Sequence, residues 1–176
     1  MKLEDMLIKT LEDKTPLVHP TAFVSEAAYV VGDVEIGEGS SIWPGTVIRG
    51  DRGKVKIGKY TNIQDNSVVH VTTDISPTRI GSEVTVGHNA IIHGATFEDR
   101  CLIGMGAIIM DDAVVGEGSI VGAGAVVPPN IMIPPRSLVV GLPAKIVRQT
   151  SDEELEMIID RAQHYIDFSQ KYKNQP

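Results

Sequence analysis

Aliphatic residues recur every six positions along most of this chain. Val24, Val30, Ile36, Ile42 and Ile48 are six apart, as are Ile57, Ile63 and Val69; Ile80, Val86 and Ile92 resume the period, and Ile103, Ile109, Val115, Val121, Val127 and Ile133 extend it. Four places after many of them sits a small residue, as at Ser40, Thr46, Thr61, Ser67, Ala90, Ala107, Ala113, Ser119 and Ala125. An amphipathic helix needs apolar residues three to four apart, and an isolated half-buried strand alternates. A period of six satisfies neither. Sustained this long, it predicts an all-β solenoid, a parallel β-helix in which each short strand is one face of a coil and the aliphatic stack is the core.

The repeat resembles the hexapeptide family, whose fold is a left-handed parallel β-helix with three strands to a coil. The left hand is what the resemblance implies, because right-handed crossovers are the general rule. Composition is compatible: 176 residues suit one domain, and 42% hydrophobic with only 5% aromatic residues suits a core of stacked Ile, Val and Ala. A net charge of -7 with no basic run argues against nucleic acid or an anionic membrane as partner. The single cysteine, Cys101, cannot form an internal disulfide and reads as buried packing. With no signal-peptide pattern and no long apolar span, the expected compartment is the cytoplasm.

Both ends leave the period. Residues 1–15 form an N-terminal helix or packed arm in this reading, since Leu3, Met6, Leu7 and Leu11 have helical spacing among charges. Residues 16–148 are the β-helix. Residues 149–176 form a C-terminal α-helix packed on it: Ser151 and Glu154 make a capping box, and Leu155, Ile158, Ile159, Ala162 and Ile166 form an apolar stripe.

With three repeats to a coil, Ile42 opens face one, Ile48 face two and Ile57 face three; Ile63, Val69 and Ile80 repeat the order, and Val86 and Ile92 follow on faces one and two. The nine-residue step from 48 to 57 and the eleven-residue step from 69 to 80 then predict corner loops with three and five extra residues. Val69 and Ile92 share face two on successive coils, so His70 and His93 point outward one above the other, with Arg49 in the same column. Strands about 4.8 Å apart let two imidazoles converge on one ion with bonds of about 2.0 Å. His88 follows Val86 on face one, a corner away, so one chain does not readily close the triad. A rotated copy could bring its His88 to His70 and His93, and such a head-to-tail interface closes most simply as a homotrimer with three shared sites. Gln64 and Asp65, after Ile63, lie beneath His88 and would arrive with it; Arg49 could then meet Asp65 across the interface, or Asp51 nearby.

Arg49-Gly50-Asp51, Asn62-Ile63-Gln64-Asp65-Asn66 with His70, and Gly87-His88-Asn89 with His93 resemble the gamma-class carbonic anhydrases and their close homologues, over the span from about Lys14 to Tyr165. The resemblance implies Zn2+, or alternatively Fe2+ or Co2+, on three histidines drawn from two subunits of a trimer. It implies reversible hydration of carbon dioxide to bicarbonate by a metal-bound hydroxide, with Gln64 contacting the bound water, Arg49, Asp51 and Asp65 organising the interface, and Tyr165 approaching from the C-terminal helix. The chain departs from the most active members at Arg52, and at the short Val71-Thr72-Thr73-Asp74 after the first histidine, where acidic residues are expected. That departure implies slow or buffer-dependent turnover, with Asp74, Tyr165 and His164 as substitute proton carriers. Two other readings stand beside this one. Gly141-Leu142-Pro143-Ala144-Lys145 resembles the terminal segment of hexapeptide acetyltransferases and suggests a coenzyme A-dependent acyltransferase or acyl-thioester hydrolase; a noncatalytic metal-binding homologue is the other.

Overall fold

The computed structural model describes residues 7–73 and 77–173. They form a left-handed parallel β-helix of about seven turns with one C-terminal helix. Every aliphatic residue of the six-residue series is buried, none more than 6% exposed. Strand register stacks them in three columns. Face one runs Val24, Ile42, Ile63, Val86, Ile103, Val121 and Val139. Face two runs Val30, Ile48, Val69, Ile92, Ile109 and Val127. Face three runs Val18, Ile36, Ile57, Ile80, Phe97, Val115 and Ile133. The small residues fill the corners, where a larger side chain would meet the next coil. Buried hydroxyls there donate to carbonyls of that coil: Ser40 to Gly58 and Thr61 to Gly81, both at 2.7 Å, and Ser67 to Gly87 at 3.0 Å.

One expectation is corrected. The step from Ile48 to Ile57 is no loop. Val47–Ile57 is one continuous strand that rounds the corner, because the long strand Tyr29–Ile36 beneath it offers a partner on both faces, with one register shift between Gly32 and Val34. The missing aliphatic residue between Ile92 and Ile103 is Phe97, five places on rather than six, 2% exposed and in register between Ile80 and Val115. Of the two N-terminal alternatives, helix or packed arm, residues 7–13 take the arm: Ile8–Lys9 adds a parallel strand to Val30–Val31, since the edge of Tyr29–Ile36 supplies hydrogen bonds that an isolated amphipathic turn lacks. Leu3 and Met6 lie outside the described residues.

The helix Asp152–Lys173 is capped reciprocally, Ser151 Oγ accepting from Glu154 N–H at 3.2 Å and the Glu154 carboxylate accepting from Ser151 N–H at 2.9 Å. Its buried line is Ile158, Ala162 and Ser169, while Ile159 is left 37% exposed. An aromatic cluster anchors the far end: Trp43 stacks on Phe168 and meets Tyr165 and Tyr172 edge-on, with ring centroids 5.6, 5.4 and 5.0 Å away. No described helix is long and apolar enough to cross a membrane.

The cap makes a pH prediction. Both Arg148 guanidinium nitrogens donate to Glu154, at 2.7 and 2.8 Å, and with the Ser151 amide they hold the Glu154 carboxyl down at about 2. Because the folded-state pKa is depressed, this stabilisation is fully present above the ordinary value of 4.5 and is lost as pH falls toward 2. Thermal unfolding of wild type and Glu154→Gln should therefore differ most above pH 4.5 and converge between there and pH 2; a constant difference would assign the effect to something other than ionisation.

Candidate metal centre

His70 ends the strand Val68–His70 and His93 ends Ile91–His93, and their Cα atoms are register partners on face two. Each side chain leaves the coil one place after a buried aliphatic residue, so the pleat turns both outward on the same side. His70 Nδ1 lies 3.1 Å from His93 Nε2. Two nitrogens on one tetrahedral zinc with bonds of 2.0–2.1 Å sit about 3.3 Å apart, so the pair needs only a slight opening to ligate a single ion.

Carboxylates engage the outer nitrogens. Asp51 Oδ1 is 2.7 Å from His70 Nε2, and both Asp111 oxygens are 3.0–3.1 Å from His93 Nδ1. Asp51 also accepts from Arg49 Nη1 at 2.8 Å. Burial pushes the Asp51 carboxyl up, but the His70 hydrogen bond and the Arg49 charge outweigh it and hold the group below its ordinary value. Asp111 was not among the residues singled out from sequence. It lies two places past Ile109, the register partner of Ile92, because the five-residue step to Phe97 shortens that coil to seventeen residues. Counting that coil at eighteen pairs position 93 with 111, so the histidine-to-aspartate spacing was the available signal.

His88 stands apart, a corner away on face one, with Nδ1 2.9 Å from Asp65 Oδ2. Among the described residues, no three His, Cys, Asp or Glu side chains of one chain are grouped to hold a metal ion. Within the chain Arg49 thus pairs with Asp51, and Asp65 pairs with His88. Gln64 is 4% exposed and donates through Nε2 to Asn62 Oδ1 at 3.0 Å, while Asn62 donates to Thr85. That chain fixes the amide so that its oxygen is the end left for a ligand. Gln64, His88, Met105, Arg161 and Tyr165 line a groove of about 270 Å³ between face one and the C-terminal helix. Tyr165 is half-buried, and burial, then the Asp65 charge, raise its hydroxyl above the ordinary value, so it is a neutral phenol. His164 stacks on Phe168 and does not line the groove. Asp74 lies outside the described residues. Cys101 is buried, its thiol pushed up to about 12 by desolvation, and no nucleophile at working pH. A larger cavity, about 760 Å³ among Ile8, Leu17, Val18, Ile36 and Ile57, lies at the N-terminal end and contains none of these groups.

The fold and the repeat place the chain among the hexapeptide-repeat β-helix proteins, and a family described as bacterial transferase hexapeptide (six repeats) matches residues 94–129. A hexapeptide transferase family protein of Anaplasma phagocytophilum has the same architecture, with a TM-score of 0.91 at 40% identity, covering 96% of this chain and 99% of that one. A carbonic anhydrase of Geobacillus kaustophilus is 46% identical over 95% of this chain and 91% of its own length. Gamma carbonic anhydrase 2 of Arabidopsis thaliana, mitochondrial, is 48% identical over 90% of this chain. The chain spans only 59% of that plant protein. It belongs to the gamma-class carbonic anhydrase-like hexapeptide-repeat family.

Proposed function

We propose that this protein is a metal-dependent carbonic anhydrase-like enzyme that interconverts carbon dioxide and bicarbonate at a site shared between subunits of a homotrimer. The observation that carries it is the His70–His93 pair, two imidazole nitrogens 3.1 Å apart with each outer nitrogen on a carboxylate. Family membership supports this chemistry among those such a pair could carry. His70 and His93 of one subunit and His88 of its neighbour would hold Zn2+, and the same donor set accepts Fe2+ or Co2+. When bound, the ion supplies the Lewis acidity that brings the pKa of water to about 7. Asp51 orients His70 and Asp65 orients His88, each through one ring nitrogen. Gln64 directs the substrate or the attacking water with its free amide oxygen. Arg49, held by Asp51, keeps a cation on the rim of the site as bicarbonate forms and leaves. Tyr165 closes the groove as a neutral hydroxyl.

The test is stopped-flow hydration of carbon dioxide by protein loaded separately with zinc, cobalt and anaerobic ferrous iron, with His88→Ala as blank. Turnover that depends on metal and falls to background in the blank is expected. Metal bound without turnover above the blank would overturn the hydratase reading and leave a metal-binding homologue. A coenzyme A reading draws on Lys145, exposed near the start of the strand Ala144–Gln149, and on the transferase relative. A ligand at a hundred times its Kd stabilises the fold by about 2.7 kcal/mol, so saturating coenzyme A that leaves the melting temperature unchanged would remove it.

A further inference from the structure

We propose that Asp111 is a positioning residue of this centre: its carboxylate fixes the tautomer and orientation of His93 so that Nε2 presents its lone pair to the ion. The inference rests on the metal-site reading above and assigns a residue it does not include.

The argument starts from donors and acceptors. An ionised carboxylate only accepts, so the contacts of 3.0 and 3.1 Å from its two oxygens to His93 Nδ1 require the proton on Nδ1. Asp51 imposes the same logic on His70, whose Nε2 then carries the proton. With both rings neutral, the two nitrogens that face each other at 3.1 Å are both lone-pair nitrogens, and lone pairs so placed repel unless a cation, either a metal ion or a proton shared as N–H···N, lies between them. Two carboxylates, one on each side, thus prepare the pair to receive a positive ion. His88, with Nδ1 on Asp65, follows the same pattern, and with Asp111 every proposed ligand has one carboxylate behind it.

The backbone gives Asp111 its place. Gly94, directly after His93, has φ +61°, and a Cβ built on it would lie 2.4 Å from Asp111 Oδ1. The carboxylate occupies the space that the absent side chain leaves. Asp112 N–H donates to Gly94 O at 2.8 Å and Asn130 N–H to Asp111 O at 3.0 Å, which ties the corner to the coils on either side. None of this packing needs the carboxylate to face an imidazole, and it does so with both oxygens.

Zinc affinity of the full chain, by competition with a chromophoric chelator, compares wild type with Asp111→Ala and Asp111→Asn. Loss of a group that orients a metal-bound histidine weakens binding about 10–100-fold, which is the expectation for Asp111→Ala; Asp111→Asn, which keeps an acceptor without the charge, should lose less. In metal-free protein, ring 15N shifts of His93 should report Nδ1–H in wild type and in Asp111→Asn, and a mixture of tautomers in Asp111→Ala. Wild-type zinc affinity in Asp111→Ala with Nδ1–H retained would overturn the proposal. Should Asp111→Ala fail to fold, unchanged zinc affinity in Asp111→Asn would overturn it equally. Failure of the underlying metal reading looks different: wild type itself would take up no zinc, while the metal-free tautomer shift would still respond to Asp111.

Discussion

Refolding an equimolar mixture of His88→Ala and His93→Ala chains is expected to restore about one quarter of the wild-type sites, although neither variant alone hydrates carbon dioxide. The expectation follows from where the chain puts its histidines. His70 and His93 are stacked on face two, whereas His88 leaves from face one with its Nδ1 on Asp65, and no single-chain grouping of three ligands exists among the described residues. In the proposed trimer each site would take His88 from one subunit and the stacked pair from the next. Random assembly gives an even chance that the first subunit has an intact His88 and an even chance that the second has an intact His93. Stopped-flow turnover and zinc bound per chain should recover together. Zero recovery from a well-folded mixed trimer would mean that the ligands come from one chain, and full activity in His88→Ala alone would remove His88 from the site.

The stacking of His70 on His93 was legible because it depends only on the period: two residues one place after aliphatic positions of the same face must coincide whatever the corners do. The capping box was legible because it is local. What escaped depends on partners far away in sequence. The step from Ile48 to Ile57 read as a corner loop because nothing in it announces that Tyr29–Ile36 runs beneath it as an extended strand. Leu7 and Leu11 have helical spacing, and the open sheet edge overrides it. Asp111 escaped for a subtler reason: losing one residue before Phe97 slides the next coil by one, so the acid that follows the stacked position reaches back over Gly94 to His93.

That same lost residue sets the second large effect. Phe97→Ala is expected to cost about 3–5 kcal/mol, more than truncating most aliphatic positions of the stack. Along face three the column is Ile57, Ile80, Phe97, Val115 and Ile133, with one aromatic ring among branched aliphatic side chains. Shortening the coil to seventeen residues draws in the corner between Ile92 and Phe97, where Ala95 is fully buried, and the ring fills what an aliphatic side chain would leave empty. Neighbouring coils cannot collapse onto the cavity, because each is tied to the next by its own ladder and core interiors yield little. At about 2–4 °C per kcal/mol for a chain of this length, the melting temperature should fall on the order of 10 °C. Phe97→Leu, which returns most of the volume, should cost less than about 1.5 kcal/mol. The cavity would open beside the corner that carries Gly94, whose N–H contacts Thr78 Oγ1 at 3.1 Å while that hydroxyl donates to His70 O at 2.6 Å. Phe97→Ala should therefore also weaken zinc binding, by less than Asp111→Ala does, because the corner loosens while the carboxylate remains. Equal stability of Phe97→Ala and Phe97→Leu would mean that the shortened coil packs without the ring and that the lost residue has some other cause.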